Sequence, residues 1–451
     1  MSWSCYITLF SFVFFKPANF FATENFQQID DFPFRYIYLT WQHEPDTTIT
    51  INIHNFSEEE EVFIYYDTLS HQGDPRRYRT LISDIGKENP SFLDGRFIHH
   101  VELFELIPGK TYYFIVGNPS TGFTQEAKFK TISDQEENLH FVEGGDWEYT
   151  QESIEVAKQA AKQNPLAVFL GGDYPSWAYE LSDYDKWDAW LDMYCKHMIT
   201  DDGCLIPMVL AIGNHEVLGG FGQTPDQVPF FLHLFPQNPE NRTYFSRCFG
   251  KNLILFVLDS GHATSHDGEQ LQWLENEFEN FKDVPIKFAL YHVPIYPCVR
   301  FSSKDIIFHT LFQIFFIKGE EEVANRMFAP YSEIGKKFWL PIFDRYRLTA
   351  AFEHHDQALK RTHPLRQNIP QAGGTVYFGD GGWGCALQYL PVQSYFRPYF
   401  ATTMGKVHFF WDIQINESYI KYQAISPKGQ VYDSYIQKFT TPSLLPPNKI
   451  I

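Results

Sequence analysis

Over the first third of the chain, apolar and polar residues alternate with a period of two. In TITINIH (48–54), Ile49, Ile51 and Ile53 share one face and polar residues the other, which predicts a half-buried strand. EVFIYYDT (61–68) repeats the pattern, and LIPGKTYYFIVG (106–117) sets a Pro-Gly turn before another aromatic strand. Short strands at this spacing, from Arg35 to about Ile132, predict an all-β sandwich. The polar, charged SDQEEN (133–138) reads as a linker.

After it the rhythm becomes strand, loop, helix. LHFVEGGD (139–146) ends in Asp146, and a helical pattern runs through SIEVAKQAAKQ (153–163). LAVFLGGD (166–173) ends in Asp173 and precedes the amphipathic DKWDAWLDMYCKHM (185–198). PMVLAIGNHE (207–216) delivers Asn214 and His215. EQLQWLENEFENF (269–281) leads to KFALYHVP (287–294), which carries His292. SEIGKKFWLPIFDRYR (332–347) predicts one further helix before LTAAFEHHD (348–356). The expectation is a layered α/β domain with its polar groups gathered where strands end.

Composition adds boundaries to this picture. At 451 residues two domains are expected, here 30–132 and 138–440. A net charge of −19 excludes a nucleic-acid surface and means that a phosphate-bearing ligand needs local cations. Cys5 to Phe15 form an uncharged apolar run of signal-peptide length. Residues 1–22 are therefore expected to be a signal peptide, the alternative being a buried strand. With the Asn-x-Ser/Thr sites at Asn55, Asn241 and Asn416, this predicts a secreted or lysosomal/vacuolar glycoprotein. Beyond Cys5 the cysteines are Cys195, Cys204, Cys248, Cys298 and Cys385, which exclude a disulfide scaffold; Cys195 and Cys204 flank a short loop and are candidates to pair. The apolar core of 301–330 is too short for a stable membrane span; it reads as a lid or surface helix, or as a mis-assigned coding segment.

Five successive strand ends thus carry metal-type donors: Asp146, Asp173, Asn214, His292 and His355. Carboxylate, carboxamide and imidazole suit Zn, Fe or Mn. One such Asp is ordinarily a helix cap, but five donors in this order point to a metal site. Asp173 suits a bridge between ions, its two preceding glycines allowing close backbone approach. His215, beside Asn214, suits a proton donor to a leaving group.

The ordered blocks GGD (144–146), GGD (171–173), GNHE (213–216), YHVP (291–294) and FEHHD (352–356) resemble the signature of the calcineurin-like metallophosphoesterases. GTVYFGDGGWG (374–384) and KRTHP (360–364) are similar to the purple acid phosphatase branch, and YLTWQHEPDTTITI (38–51) to its fibronectin-III-like front domain. The resemblance implies hydrolysis of small phosphate monoesters by metal-bound hydroxide, at a centre of one or two ions. Asp173 would bridge, and Asn214, His292 and His355 would bind the second ion.

The first ion would keep Asp146 and Asp173, but the family's tyrosine ligand is replaced by Ser176 and its last histidine by Gln357. The family's purple colour comes from that tyrosine on ferric iron, so a colourless protein is expected. Glu148 stands where the family has glycine; Glu148, Tyr174 and His354 are candidate substitute ligands, His354 also a candidate support. The expectation is a weakened first site. The rival readings are a catalytically impaired relative that binds phosphate or a partner, and a phosphodiester or pyrophosphate hydrolase.

Overall fold

The computed structural model describes residues 33–438, except 58–60, 86–89, 91, 134–137, 176–177, 179, 301–329, 380, 392–393 and 395–396. The expected leader at 1–22, nearly all of the 301–330 insertion and most of the linker therefore lie outside the described residues, as does Ser176.

The N-terminal sandwich contains β1 (Phe34–Thr40), β2 (Ile49–Asn55), β3 (Glu61–Asp67), β4 (Thr80–Ile85), β5 (Phe97–Leu103), β6 (Thr111–Asn118), β7 (Gly122–Phe123) and β8 (Ala127–Lys130). One sheet has the order β1-β2-β5, the other β4-β3-β6-β7 with β8 also on β6. Ile49, Ile51 and Ile53 are core residues as expected, but Thr50, Asn52 and His54 are equally buried. Strand β2 is therefore fully rather than half buried, because polar groups on and beside it are bonded within the fold and to the following domain. Asn52 Oδ1 lies 2.8 Å from His100 Nδ1, whose Nε2 bonds the His233 carbonyl at 2.8 Å. Tyr38 donates its hydroxyl to the Leu234 carbonyl at 2.6 Å. Arg96, with a fully buried side chain, donates to Asp188 at 2.5 and 2.7 Å. Of the three sequon asparagines, Asn55 is buried, with Oδ1 accepting from Ser57 N–H and hydroxyl. Asn241 is exposed and Asn416 half-buried.

The second domain alternates as expected. Its first part comprises β9 (Leu139–Gly144), α1 (Gln151–Ala161), β10 (Ala167–Leu170), α2 (Tyr184–His197), β11 (Met208–Leu210), α3 (Pro229–Leu234), β12 (Phe245–Phe249), β13 (Leu253–Val257), α4 (Glu269–Asn280) and β14 (Ile286–Leu290). It continues through α5 (Pro330–Phe338), α6 (Leu340–Tyr346), β15 (Ala350–Phe352), β16 (Leu359–Thr362), β17 (Leu365–Arg366), β18 (Ile369–Pro370), β19 (Val376–Gly379), β20 (Phe400–Met404), β21 (Phe410–Ile415), β22 (Tyr419–Ile425) and β23 (Val431–Lys438). Two sheets, β11-β10-β9-β21-β22-β23 and β12-β13-β14-β15-β19-β16-β20, carry it. The strands that carry the candidate ligands, β9 to β11 and β14 to β15, run parallel within their sheets. These strands are mostly apolar and almost wholly buried, as strands covered on both faces are.

The single helix expected over 332–347 is two, α5 and α6, because Pro341 falls in the first turn of the second. A proline lacks the N–H that a continuous helix needs there. Cys195 and Cys204 do not pair with each other. Among the described residues no helix is long and apolar enough to cross a membrane.

Candidate metal centre

Asp146, Asp173 and Asn214 follow β9, β10 and β11 of the six-stranded sheet, and His292 and His355 follow β14 and β15 of the seven-stranded one. Neighbouring loops are stitched by backbone bonds, Asp146 N–H to the Gly172 carbonyl and Trp147 N–H to the Asp173 carbonyl, each at 2.9 Å. Asp146, Asp173 and His355 have φ of 51°, 62° and 74°. Such left-handed backbone is costly for non-glycine residues and persists where the surroundings over-determine it.

The structure brings Asp173, His292 and His355 together, with one ligand atom of each within 4.8 Å of the others. His292 Nε2 lies 3.1 Å from Asp173 Oδ2 and 3.0 Å from His355 Nδ1. His292 Nδ1 faces the Gly171 carbonyl at 2.8 Å, a partner that can only accept. Nε2 is thereby aimed at a carboxylate oxygen and a second imidazole nitrogen. Burial lowers the His292 pKa, but Asp173 and Asp146 override it and raise it to about 9. Burial likewise raises that of Asp173, yet His215 and His292 hold it well below the usual carboxylate range. Both shifts express the same demand for positive charge between these atoms, which a metal ion would supply in place of a proton. Asn214 Oδ1 is buried with no hydrogen-bond partner among the described residues, another acceptor that a cation would satisfy.

His215 donates its backbone N–H to Asp173 Oδ1 at 2.9 Å, while its Nε2 lies 3.8 Å from Asp173 Oδ2, beyond hydrogen-bond range. Its side chain stands beside Asp173 without being a member of the ligand trio.

Asp146 is differently placed. Its Oδ2 accepts the His355 N–H at 3.0 Å and its Oδ1 accepts Gln357 Nε2 at 3.1 Å. Gln357 Oε1 in turn accepts from Gln388 Nε2 at 3.2 Å. Burial raises the Asp146 pKa, with His292 opposing it. Of the candidate substitute ligands, Tyr174 is enclosed, with its hydroxyl against the Ala211 and Leu170 carbonyls at 2.5 and 2.9 Å and accepting from Gly172 N–H at 3.0 Å. His354 has both ring nitrogens engaged, Nε2 with Glu143 at 2.5 Å and Nδ1 with the Tyr291 carbonyl at 3.0 Å. Glu148 is half-buried and acts electrostatically on His408.

The glycines before the two aspartates serve a purpose the sequence did not suggest. A Cβ at Gly145 would lie 2.5 Å from His354 Cδ2, and one at Gly171 would lie 1.8 Å from its Cε1. Both leave room for that ring. Only Gly172 fits the close approach expected at the ligands, with φ of +97° and His292 Nδ1 at 2.8 Å from a Cβ built there.

Three buried carboxylates that sequence reasoning passed over hold the loops. Glu216 accepts backbone N–H groups of Asp173 (2.9 Å), Gly213 (2.6 Å) and Tyr174 (2.6 Å), and burial together with Asp173 raises its pKa to about 8. Asp356 accepts from Cys298 and Val299 N–H and from Arg300 Nη1, which also donates to the His355 carbonyl at 2.6 Å. Glu143 is the third. Glu216 and Asp356 stand inside the recognised blocks, which was the available signal; Glu143 had none.

Known proteins match this architecture. The family model described as "Purple acid Phosphatase, N-terminal domain" matches residues 35–131. The structure of purple acid phosphatase PPD1 from yellow lupin (Lupinus luteus) seeds superposes with a TM-score of 0.69 at 16% identity, covering 90% of this chain and 74% of that one. The structure of PhoD gives 0.64 at 12% identity, covering 94% of each chain. No curated protein matches the sequence significantly. The chain thus carries a purple acid phosphatase-type N-terminal β-sandwich followed by an α/β domain of the metallophosphoesterase fold.

Proposed function

We propose that the chain is a metal-dependent phosphoester hydrolase acting on small phosphate monoesters, with one ion held firmly and the first site weakened. The observation that carries this reading is the convergence of Asp173, His292 and His355; the buried Oδ1 of Asn214, which has no hydrogen-bond partner among the described residues, is a fourth acceptor at a strand end. Those four residues would hold the ion, which supplies Lewis acidity toward a phosphoryl oxygen and lowers the pKa of water. Zn, Fe and Mn all suit a set of carboxylate, carboxamide and two imidazoles. Glu216 and Asp356 keep the ligand loops in register through their backbone bonds. His215, held beside the pocket by its N–H bond to Asp173, donates a proton to the leaving oxygen.

The weakness lies around Asp146, whose two oxygens are met by N–H donors of His355 and Gln357. That pattern also supports the second reading, a catalytically impaired relative that binds phosphate. Measuring metal content of the purified protein, together with aryl-phosphate hydrolysis over a pH series, separates the two. One bound ion with turnover supports the hydrolase, and a metal-loaded protein without turnover supports the binder. A secreted or lysosomal/vacuolar location is part of the proposal, supported by the apolar run at Cys5–Phe15 and by the exposed sequon at Asn241.

A further inference from the structure

Among the described residues, the candidate ligands come from two sheets that share no ladder hydrogen bonds, so strand pairing alone does not set the distance between their strand ends. Asp173 and Asn214 sit on strand ends of the six-stranded sheet, His292 and His355 on those of the seven-stranded sheet. His354 and Glu143 span that gap. Glu143 lies on β9, and His354 follows β15. The His354 ring reaches Glu143 Oε1 at 2.5 Å across the gap and the Tyr291 carbonyl at 3.0 Å on its own side, while its backbone N–H bonds the His292 carbonyl at 2.8 Å. Both side chains are 1% exposed. The ring fills the space left by Gly145 and Gly171, at the ends of β9 and β10.

We propose that Glu143 and His354 are positioning residues: a buried spacer that fixes the distance between the carboxylate-bearing and imidazole-bearing strand ends, and hence the size of the metal cage. The inference rests on the metal reading above. The pair is closed on itself: Nδ1 of His354 faces the Tyr291 carbonyl and Nε2 faces Glu143, so neither ring nitrogen is left to bind an ion. Its role is geometric. Residues that hold metal ligands from behind typically contribute about 10–100-fold to metal affinity.

The test uses the full-length protein and Zn2+ alone, titrated against a chelator, with the Co2+ visible spectrum as a readout of ligand geometry. Thermal unfolding of the metal-free protein separates cage geometry from general stability. Glu143→Gln keeps length and hydrogen bonding and is expected to bind Zn2+ within about threefold of the wild type. Glu143→Leu removes the tie, and Gly145→Ala pushes a methyl group toward the ring while leaving every charge in place; each is expected to lose about 10–100-fold and to alter the Co2+ spectrum. Wild-type affinity and spectrum in both of these variants overturn the spacer. So does a loss in Glu143→Gln equal to that in Glu143→Leu, which assigns the effect to charge rather than length. A wild-type protein that binds neither ion refutes the metal reading itself, a distinct result.

Discussion

The side-chain amide of Gln357 lies 3.1 Å from Oδ1 of Asp146, at the position where related enzymes are expected to carry a histidine ligand. An imidazole there would offer a lone pair to an ion shared with Asp146. The amide instead donates N–H to the carboxylate and uses its carbonyl oxygen on Gln388. Asp146 is thus satisfied by the protein itself, and an ion at that position would have to displace these hydrogen bonds.

Gln357→His should therefore raise metal content from about one ion toward two per chain, read by elemental analysis, with turnover rising alongside. Each 1.4 kcal/mol of added transition-state stabilisation corresponds to about a tenfold rate increase. A wild-type protein that already binds two ions, and is unchanged by Gln357→His, would refute the weakened site.

Asp173→Ala should abolish both metal binding and activity, because Asp173 is the only carboxylate in the converging trio. Asp146→Asn should cost far less metal, since Asp146 stands outside that trio. Equal losses from the two substitutions, measured by metal titration, would contradict the asymmetry.

His215→Ala should leave metal content near that of the wild type and lower kcat by about 10²–10⁴-fold, the usual contribution of a positioned proton donor. A large fall in metal affinity would make His215 a ligand, against its 3.8 Å separation from Asp173 Oδ2.

The iron-loaded protein should lack a tyrosinate charge-transfer band. Tyr174, adjacent to Asp173, has its hydroxyl engaged with the Ala211 and Leu170 carbonyls, and burial pushes its pKa well above the usual value. A strong visible band after Fe3+ loading would show that a tyrosine reaches the ion.

Stability should fall in acid partly through His266, which packs against Trp339 at 4.3 Å between ring centroids. Burial lowers its pKa to about 3, below the 6.5 of an unfolded histidine. The unfolded chain therefore binds the extra proton between these values, so stability is fully present above pH 6.5 and is lost as pH falls toward about 3. The loss at pH 5 is on the order of 2 kcal/mol. His266→Phe should flatten that part of the denaturation-versus-pH curve; an unchanged slope would assign the acid sensitivity elsewhere.

The sandwich, the strand–helix alternation and the five strand-end donors were legible because each is a local signal: a period of two or 3.6, or a donor placed just after an apolar strand. Two further features had a partial signal. Pro341 announced the break between α5 and α6, and Glu216 stood inside a recognised block. The buried polar face of β2 and the enclosure of Asn55 were not legible, since alternation reports the sandwich core and not what covers the opposite face. The contact of His354 with Glu143, and that of Gln357 with Asp146, each join residues 211 positions apart. Local pattern put a donor at each strand end; the packing of one sheet against the other decided which donors meet, because distances across that gap are set by side chains whose partners lie far away in the chain.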